Sequence, residues 1–292
     1  IVGEAQNPTI EPRLQSLYQL NPSYGLFARA SVEQQVGKIR LAVLEYYQSL
    51  EADPGRSAAR ADLANVLLRM GLGAEGLALD PSQKVDAPLL LGQWDEAVEL
   101  ARTNLALNPD QPVAIGKLMN ALMWAGDAEA AFSLAQQLWA RLGKNPFEVA
   151  DWVDTMAWVA RQSEHPQEAA QYREAQVKVV QALKEAGYTD NYILMKEARL
   201  AALDGRDDDA IAAFSRAIDR GARWTYLGNY PEFAAMQDNP GFQAQVSRVR
   251  DLMDQERGEI LTMLCGPDTF LKQWTPAPET CEMYRELAST GT

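Results

Sequence analysis

The chain has 292 residues, of which 27 are Lys or Arg and 40 are Asp or Glu, so its formal net charge is −13. Apolar residues make up 47% of the sequence, which is enough to bury a sizeable core. The acidic balance argues against nucleic acid or an anionic membrane surface as the main partner, because both bind basic surfaces. One histidine and two cysteines exclude a multi-histidine metal site, a zinc ribbon and an iron–sulfur centre. We therefore expect neither a metal nor a cofactor.

Residues 1–30 are predicted to form an N-terminal extension. They contain Pro8, Pro12 and Pro22, which indicate a loop with one short helix near residues 12–19. Neither this segment nor any other approaches the roughly 18 to 20 uncharged apolar residues of a membrane span, so we expect no membrane insertion.

A repeated pattern occupies residues 31–221. Its mark is a turn such as Gly126-Asp127, followed by an alanine near the start of a helix. Four such alanines lie 34, 38 and 41 residues apart, at Ala97, Ala131, Ala169 and Ala210. An earlier copy of the pattern, with offsets of 4, 7 and 12 residues, consists of Ala42, Tyr46, Ser49 and Pro54.

This spacing predicts helical hairpins. Residues four and seven positions after the alanine lie on the same face of a helix. The small alanine lets a neighbouring helix approach closely, the proline ends its helix, and the glycine turn joins that helix to the preceding one. Each hairpin has an apolar face that it cannot bury alone, so successive hairpins are expected to stack.

The pattern resembles the tetratricopeptide repeat, a 34-residue helix–turn–helix unit. The family's first helix carries a large residue, Leu, a small residue and Tyr, and its second carries Ala, an aromatic residue, Ala and Pro. First-helix positions here are Arg60, Leu63, Ala64 and Leu67; Ile115, Leu118, Met119 and Leu122; Val153, Met156, Ala157 and Ala160; and Leu194, Glu197, Ala198 and Ala201.

The resemblance implies an all-α fold, an α-solenoid of about five antiparallel helical hairpins that forms a superhelix. Met119 and Glu197 depart from the family pattern. Residues 71–91 contain Pro81 and Pro88, so one hairpin there is expected to be shortened or distorted.

Residues 222–264 are expected to cap the array. Asn239-Pro240 opens an amphipathic helix that continues to about Leu264. The pattern around Phe233, Met236 and Phe242 resembles the tail of repeat arrays in bacterial signalling proteins, which include membrane-spanning winged-helix regulators and adenylate cyclases.

The last segment, residues 265–292, contains both cysteines. Cys265 and Cys281 bracket a stretch with Gly266, Pro267 and Trp274 that is expected to hold little helix. A bridge would close a loop of about 15 residues and contribute roughly 3 kcal/mol. The sequence therefore favours a disulfide, with two free cytosolic thiols as the alternative. A disulfide implies an oxidising compartment, which for a bacterial protein is the periplasm or exterior.

Tetratricopeptide repeats usually bind an extended peptide or a partner's helix in a concave groove lined by first helices. Asn65 and Asn120 match the Asn that the family often uses to bind a ligand's backbone, and Trp124 and Trp158 would be aromatic anchors. Packing between hairpins is the alternative for every candidate. The resemblance implies groove positions at Asn65, Arg69, Asn120, Trp124, Asp154, Trp158, Arg161, Tyr192 and Arg199.

The motifs do not favour catalysis. No G-x-S-x-G, P-loop or H-E-x-x-H pattern occurs, and His165 lies in an inter-helix turn where we expect it to be exposed. Asp207-Asp208-Asp209 is explained by the dipole at a helix start. We predict a non-catalytic scaffold that binds a protein or peptide. The alternative is a periplasmic sensor or interaction domain of a transmembrane bacterial signalling or transcription-regulatory protein.

Overall fold

A computed structural model describes residues 10–143, 145–267 and 274–290. All regular structure in these residues is helical, which confirms the predicted all-α class. Residues 1–9 of the predicted extension, and 268–273 and 291–292 of the last segment, lie outside the described residues. The α-helices are α1 (Ile10–Leu20), α2 (Pro22–Gln35), α3 (Ile39–Ala52), α4 (Ser57–Arg69), α5 (Gly73–Leu79), α6 (Ala87–Leu91), α7 (Trp94–Leu107), α8 (Pro112–Trp124), α9 (Ala128–Leu142), α10 (Val153–Gln162), α11 (Pro166–Glu185), α12 (Asn191–Leu203), α13 (Asp207–Asp219), α14 (Pro240–Cys265) and α15 (Pro278–Thr290). The 3₁₀ helices are Pro81–Val85, Pro146–Val149, Leu227–Asn229 and Pro231–Met236.

The chain divides into two compact units, and each is discontinuous in sequence. Unit 1 comprises Ile1–Leu91, Ile218–Thr225 and Val246–Thr292. Unit 2 comprises Gly92–Ala217 and Tyr226–Gln245.

In unit 2, neighbouring helices pack in chain order from α7 to α12. Helix α8 also contacts α10, and α10 contacts α12, so alternate helices touch as well. The repeat alanines Ala97, Ala131 and Ala210 are buried, and Ala169 is partly buried. Small side chains at these positions allow the close helix approach that the sequence pattern predicts.

The turn between α8 and α9 explains why a glycine and an aspartate recur in the pattern. Gly126 has φ +85°, and the backbone N–H groups of Gly126 and Asp127 donate to Met123 and Leu122, which closes the end of α8. The side chain of Asp127 then accepts a hydrogen bond from the N–H of Ala130 and starts α9. One dipeptide thus ends one helix and begins the next.

Three phenylalanines in unit 2 pack the start of α14 against α13 and the 3₁₀ helix Pro231–Met236. Phe242, near the start of α14, is fully buried against Phe214 of α13 and Phe233, with ring centroids 5.3 and 5.2 Å away. This part of α14 covers the apolar face of α13, as a capping helix would.

The N-terminal helices of unit 1 extend further than the sequence analysis expected. The helix near residues 12–19 is present as α1, but residues 22–30, expected to be a loop, form the first part of α2. The side chain of Asn21 accepts from the N–H of Tyr24, and Pro22 occupies the first turn. Asn followed by Pro is a helix start, because it caps one free N–H group and removes another. The irregular region 71–91 consists of α5, a 3₁₀ turn and α6.

The C-terminal segment is stapled as predicted. Cys265 and Cys281 form a disulfide with a Cα–Cα distance of 5.4 Å. Of the described residues between the two cysteines, only 278–280 are helical, because α15 begins at Pro278 and continues past Cys281 to Thr290. Pro278 and Glu279 in the first turn favour a helix start there. The buried carboxylate of Glu75 on α5 also anchors the segment, because it accepts hydrogen bonds from Nε1 of Trp274 and the N–H of Ala277.

Candidate functional site

The nine predicted groove residues are divided between the two units. Asn65 and Arg69 lie on α4 of unit 1, where both are partly buried and Arg69 stacks on Trp224 at 5.6 Å. The other seven belong to unit 2, on α8, α10 and α12: Asn120, Trp124, Asp154, Trp158, Arg161, Tyr192 and Arg199.

Four charged side chains in unit 2 form a buried ion network, which we define as Asp154, Lys196, Arg199 and Glu232. Oδ2 of Asp154 accepts from Nζ of Lys196 and from Nη1 of Arg199, each at 2.9 Å. Arg199 also donates from Nε to Oε1 of Glu232 at 2.8 Å. Asp154 is 0% exposed and Arg199 is 9% exposed, so these two predicted groove charges are directed to protein partners rather than to open surface.

Burial and pairing act in opposite directions on the charges of the network. Burial raises the pKa of Glu232, and the neighbouring Arg199 lowers it in part. Burial by itself lowers the pKa of Arg199, but the carboxylates of Glu232 and Asp154 more than offset this effect and keep the pKa above its ordinary value. Arg199 therefore stays charged, and its charge orders the side chains around it.

Two tyrosines lie against the cations of the network. The ring of Tyr230 is 4.8 Å from the guanidinium carbon of Arg199, and the ring of Tyr192 is 4.9 Å from Nζ of Lys196. Tyr192 is 42% exposed, and its hydroxyl donates to Oδ1 of Asp151 at 2.6 Å. The buried network thus fixes the orientation of aromatic rings that reach the surface.

Tyr230 connects the ion network to a second group, the aromatic cluster, which consists of Trp94, Trp124, Tyr226 and Tyr230. Trp94 begins α7 and Trp124 ends α8, and their rings stack with centroids 4.6 Å apart and planes at 17°. Tyr230 lies 5.0 Å from Trp124. All four rings are partly buried, so each contributes to the core and keeps some exposed area.

Tyr226 lies beside the stacked indoles and not on top of them. Its centroid is 5.7 Å from that of Trp94 and 5.2 Å from that of Trp124, and its plane is nearly perpendicular to both. A ring on the outer face of one indole would be almost twice as far from the other as from its neighbour. Tyr226 therefore lies on neither outer face of the stack.

An open pocket of about 500 Å³ adjoins the stacked indoles. It is formed by the residues where α7 begins and α8 ends, among them Gly92, Trp94, Asp95, Glu96 and Trp124. Asp95 and Glu96 are exposed. The pocket combines two aromatic rings with two carboxylates.

The remaining predicted residues make packing contacts or lie near the surface. Oδ1 of Asn120 accepts from Oγ1 of Thr155 at 2.8 Å, so part of its amide is engaged within the fold. Arg161 donates to the carbonyl of Leu203, and Trp158 is partly buried on α10. His165, expected to be exposed, is partly buried and stacks on Phe132 at 3.9 Å.

The sequence analysis missed five members of these groups: Trp94, Lys196, Tyr226, Tyr230 and Glu232. A signal existed for Trp94, because it and Trp124 both adjoin inter-helix turns of the repeat. Lys196 lies three positions before Arg199, which puts both cations on one face of α12. The other three lie after residue 221, outside the repeat pattern.

No protein-family model and no curated protein sequence matches the chain. Among the described residues, no group of three or more His, Cys, Asp or Glu side chains is arranged to hold a metal ion. In the same part of the chain, no helix has the length and apolarity to cross a membrane.

Proposed function

We propose that the chain is a non-catalytic scaffold that binds a protein or peptide, and that its repeats form a superhelix of the tetratricopeptide type. The recurring Gly-containing turns and the packing of alternate helices α8, α10 and α12 support this stacking. On this proposal the partner lies against the surface of unit 2 that carries the aromatic cluster.

The observation that carries the proposal is the aromatic cluster itself. Large rings such as Trp124 and Tyr230 present wide contact areas and lose little side-chain entropy on binding. Rings with no binding role would be expected to be fully buried in the core or scattered singly over the surface. Here four neighbouring rings remain partly exposed.

The ion network gives this surface a rigid base. The guanidinium of Arg199 packs against the ring of Tyr230, and Tyr192 contacts both Lys196 and Asp151. A surface that is ordered before binding loses less conformational entropy when a partner docks. We assign Asp154 and Arg199 this supporting role, in place of direct contact with the ligand.

Peptide selection tests the proposed function. A display library of random short peptides is panned against the purified protein, and the dissociation constants of recovered peptides are measured by calorimetry. Trp124→Ala is expected to weaken binding by at least about tenfold, the effect of losing an interface anchor. Tyr192→Ala, an exposed change, is expected to weaken it less.

The matched control is Tyr18→Ala, because Tyr18 is an aromatic residue of unit 1 that is 50% exposed. It should leave the affinity unchanged. The proposal fails if no peptide is recovered, or if the selected peptides bind wild type and both unit 2 variants equally while circular dichroism shows that the variants are folded.

We also propose an extracytoplasmic location, supported by the Cys265–Cys281 disulfide. This compartment suits a second candidate function, a periplasmic sensor or interaction domain of a transmembrane signalling or transcription-regulatory protein. Mass spectrometry of protein from its native host, alkylated before reduction, tests the location. Two alkylated thiols would contradict it, and a membrane span encoded in the same reading frame would favour the sensor function over the free scaffold.

A further inference from the structure

We infer that the pocket beside Trp94 and Trp124 binds a positively charged side chain of the partner, with arginine preferred over lysine. The inference deepens the proposed peptide-binding function and depends on it. In this inference, the pocket in unit 2 is where the charge of the peptide is recognised.

The stacked indole rings are accessible from the pocket that they line. Tyr226 lies beside the Trp94–Trp124 stack and on neither outer face, and both indoles line the open pocket, where a ligand can reach them. A cation is attracted to the face of an aromatic ring, and indole attracts it most strongly. A planar guanidinium can also lie parallel to the indole, which an ammonium group cannot do.

Charge also favours a cation in this pocket. Asp95 and Glu96 line the same pocket as the indoles and are exposed, and neither Lys nor Arg is among the described residues that line it. The whole chain carries a charge of −13, so a cationic partner is also favoured at longer range. Carboxylates next to an indole that lines the same pocket complement a guanidinium, which bonds to the carboxylates and stacks on the indole.

The size and the opening of the pocket also favour such a side chain. Its volume of about 500 Å³ accommodates a long side chain that enters from solvent. Gly92 has φ +76°, which favours glycine at this turn, and it therefore places no side chain of its own against the ring of Trp94.

Asp95 and Glu96 also lie in the first turn of α7, where acidic residues stabilise a helix without any ligand. The chain offers a matched control for this effect, because Asp207 and Asp208 occupy the first turn of α13. Substituting either pair removes two charges from a helix start, and only one pair lines the pocket.

The test uses N-acetyl-arginine amide and N-acetyl-citrulline amide, which have nearly the same shape but differ in charge. Indole N–H signals of Trp94 and Trp124 are followed by NMR at constant ionic strength. We expect the arginine probe to shift these signals with an affinity at least about threefold above that of the citrulline probe. The double substitution Asp95→Asn, Glu96→Gln should remove that preference, and Asp207→Asn, Asp208→Asn should keep it.

Equal shifts with both probes, or a preference that survives loss of Asp95 and Glu96, would overturn the inference. The selected peptides separate this failure from failure of the proposed function. One outcome is that the peptides bind the Trp124→Ala variant more weakly yet keep their affinity when each arginine is replaced by citrulline. That result would support the proposed peptide binding and contradict the cationic subsite. If the peptides bind wild type and the Trp124→Ala variant with equal affinity, both the proposed binding site at the aromatic cluster and the cationic subsite are contradicted.

Discussion

Nε of Arg199 donates a hydrogen bond of 2.8 Å to Oε1 of Glu232, and both side chains are buried. This contact joins α12 to the 3₁₀ helix Pro231–Met236, which begins directly after Tyr230 of the aromatic cluster. The position of Tyr230 therefore depends on a pair of charges whose members are 33 residues apart in sequence.

Breaking this pair should destabilise the fold strongly. Glu232→Ala leaves Arg199 buried with one fewer partner, and loss of one member of a buried ion pair costs about 3–5 kcal/mol. Urea unfolding followed by circular dichroism measures the change. The double variant Arg199→Met, Glu232→Leu should lose less free energy of unfolding than the sum of the losses in the single variants Arg199→Met and Glu232→Leu. Strict additivity would show that the two residues do not interact.

Glu164 occupies a turn position at which glycine is favoured. It has φ +58°, and the backbone N–H groups of Glu164 and His165 close the end of α10 as Gly126 and Asp127 do for α8. Glu164→Gly should relieve this strain and raise the free energy of unfolding by about 0.5–1 kcal/mol, net of the entropy that glycine gains when unfolded. Glu164→Ala serves as the control and should not stabilise. A lower free energy of unfolding in the Glu164→Gly variant would contradict the inference that the backbone of Glu164 is strained.

Glu45 should make unit 1 sensitive to pH. It is 6% exposed, and burial raises its pKa from 4.5 to about 7, while Arg29 opposes this and Glu33 and Glu11 add to it. A raised pKa means that the folded state binds more protons than the unfolded state, so stability should fall as the pH rises from about 4.5 to 7. In the Glu45→Gln variant, the urea midpoint of unfolding should change less with pH in this window than it does in wild type. An unchanged slope would exclude Glu45 as its source.

The disulfide should contribute measurably to stability. The pair of substitutions Cys265→Ser, Cys281→Ser opens a loop of about 15 residues and should lower the free energy of unfolding by roughly 3 kcal/mol. Addition of reductant to wild type should have the same effect and should leave the double variant unchanged. If reductant destabilised both proteins equally, the effect could not be assigned to this bridge.

Local signals predicted much of the fold. The Gly126-Asp127 turn needs only hydrogen bonds within a few residues, so a short motif is sufficient to predict it. The Asn21-Pro22 start of α2 is equally local, but three prolines within residues 1–30 favour a loop when only the sequence is considered. The disulfide was predictable because both cysteines flank one segment.

The site was less predictable because its contacts are long-range. Family position suggested that Arg199 faces a ligand, whereas its partner Glu232 lies outside the repeat pattern. Trp124 lies at the end of α8, but its stacking partner Trp94 stands out in the sequence only as part of a turn. Pairing between distant residues requires the packed structure.

Hydrogen–deuterium exchange tests the central claim, that the partner binds at the aromatic cluster. A peptide selected against wild type is added at saturation, and amide protection is mapped along the chain. The account predicts new protection in the turns around Trp94 and Trp124 and in the segment from Tyr226 to Tyr230. Protection confined to helices α1 to α4, with no change in those turns, would contradict it.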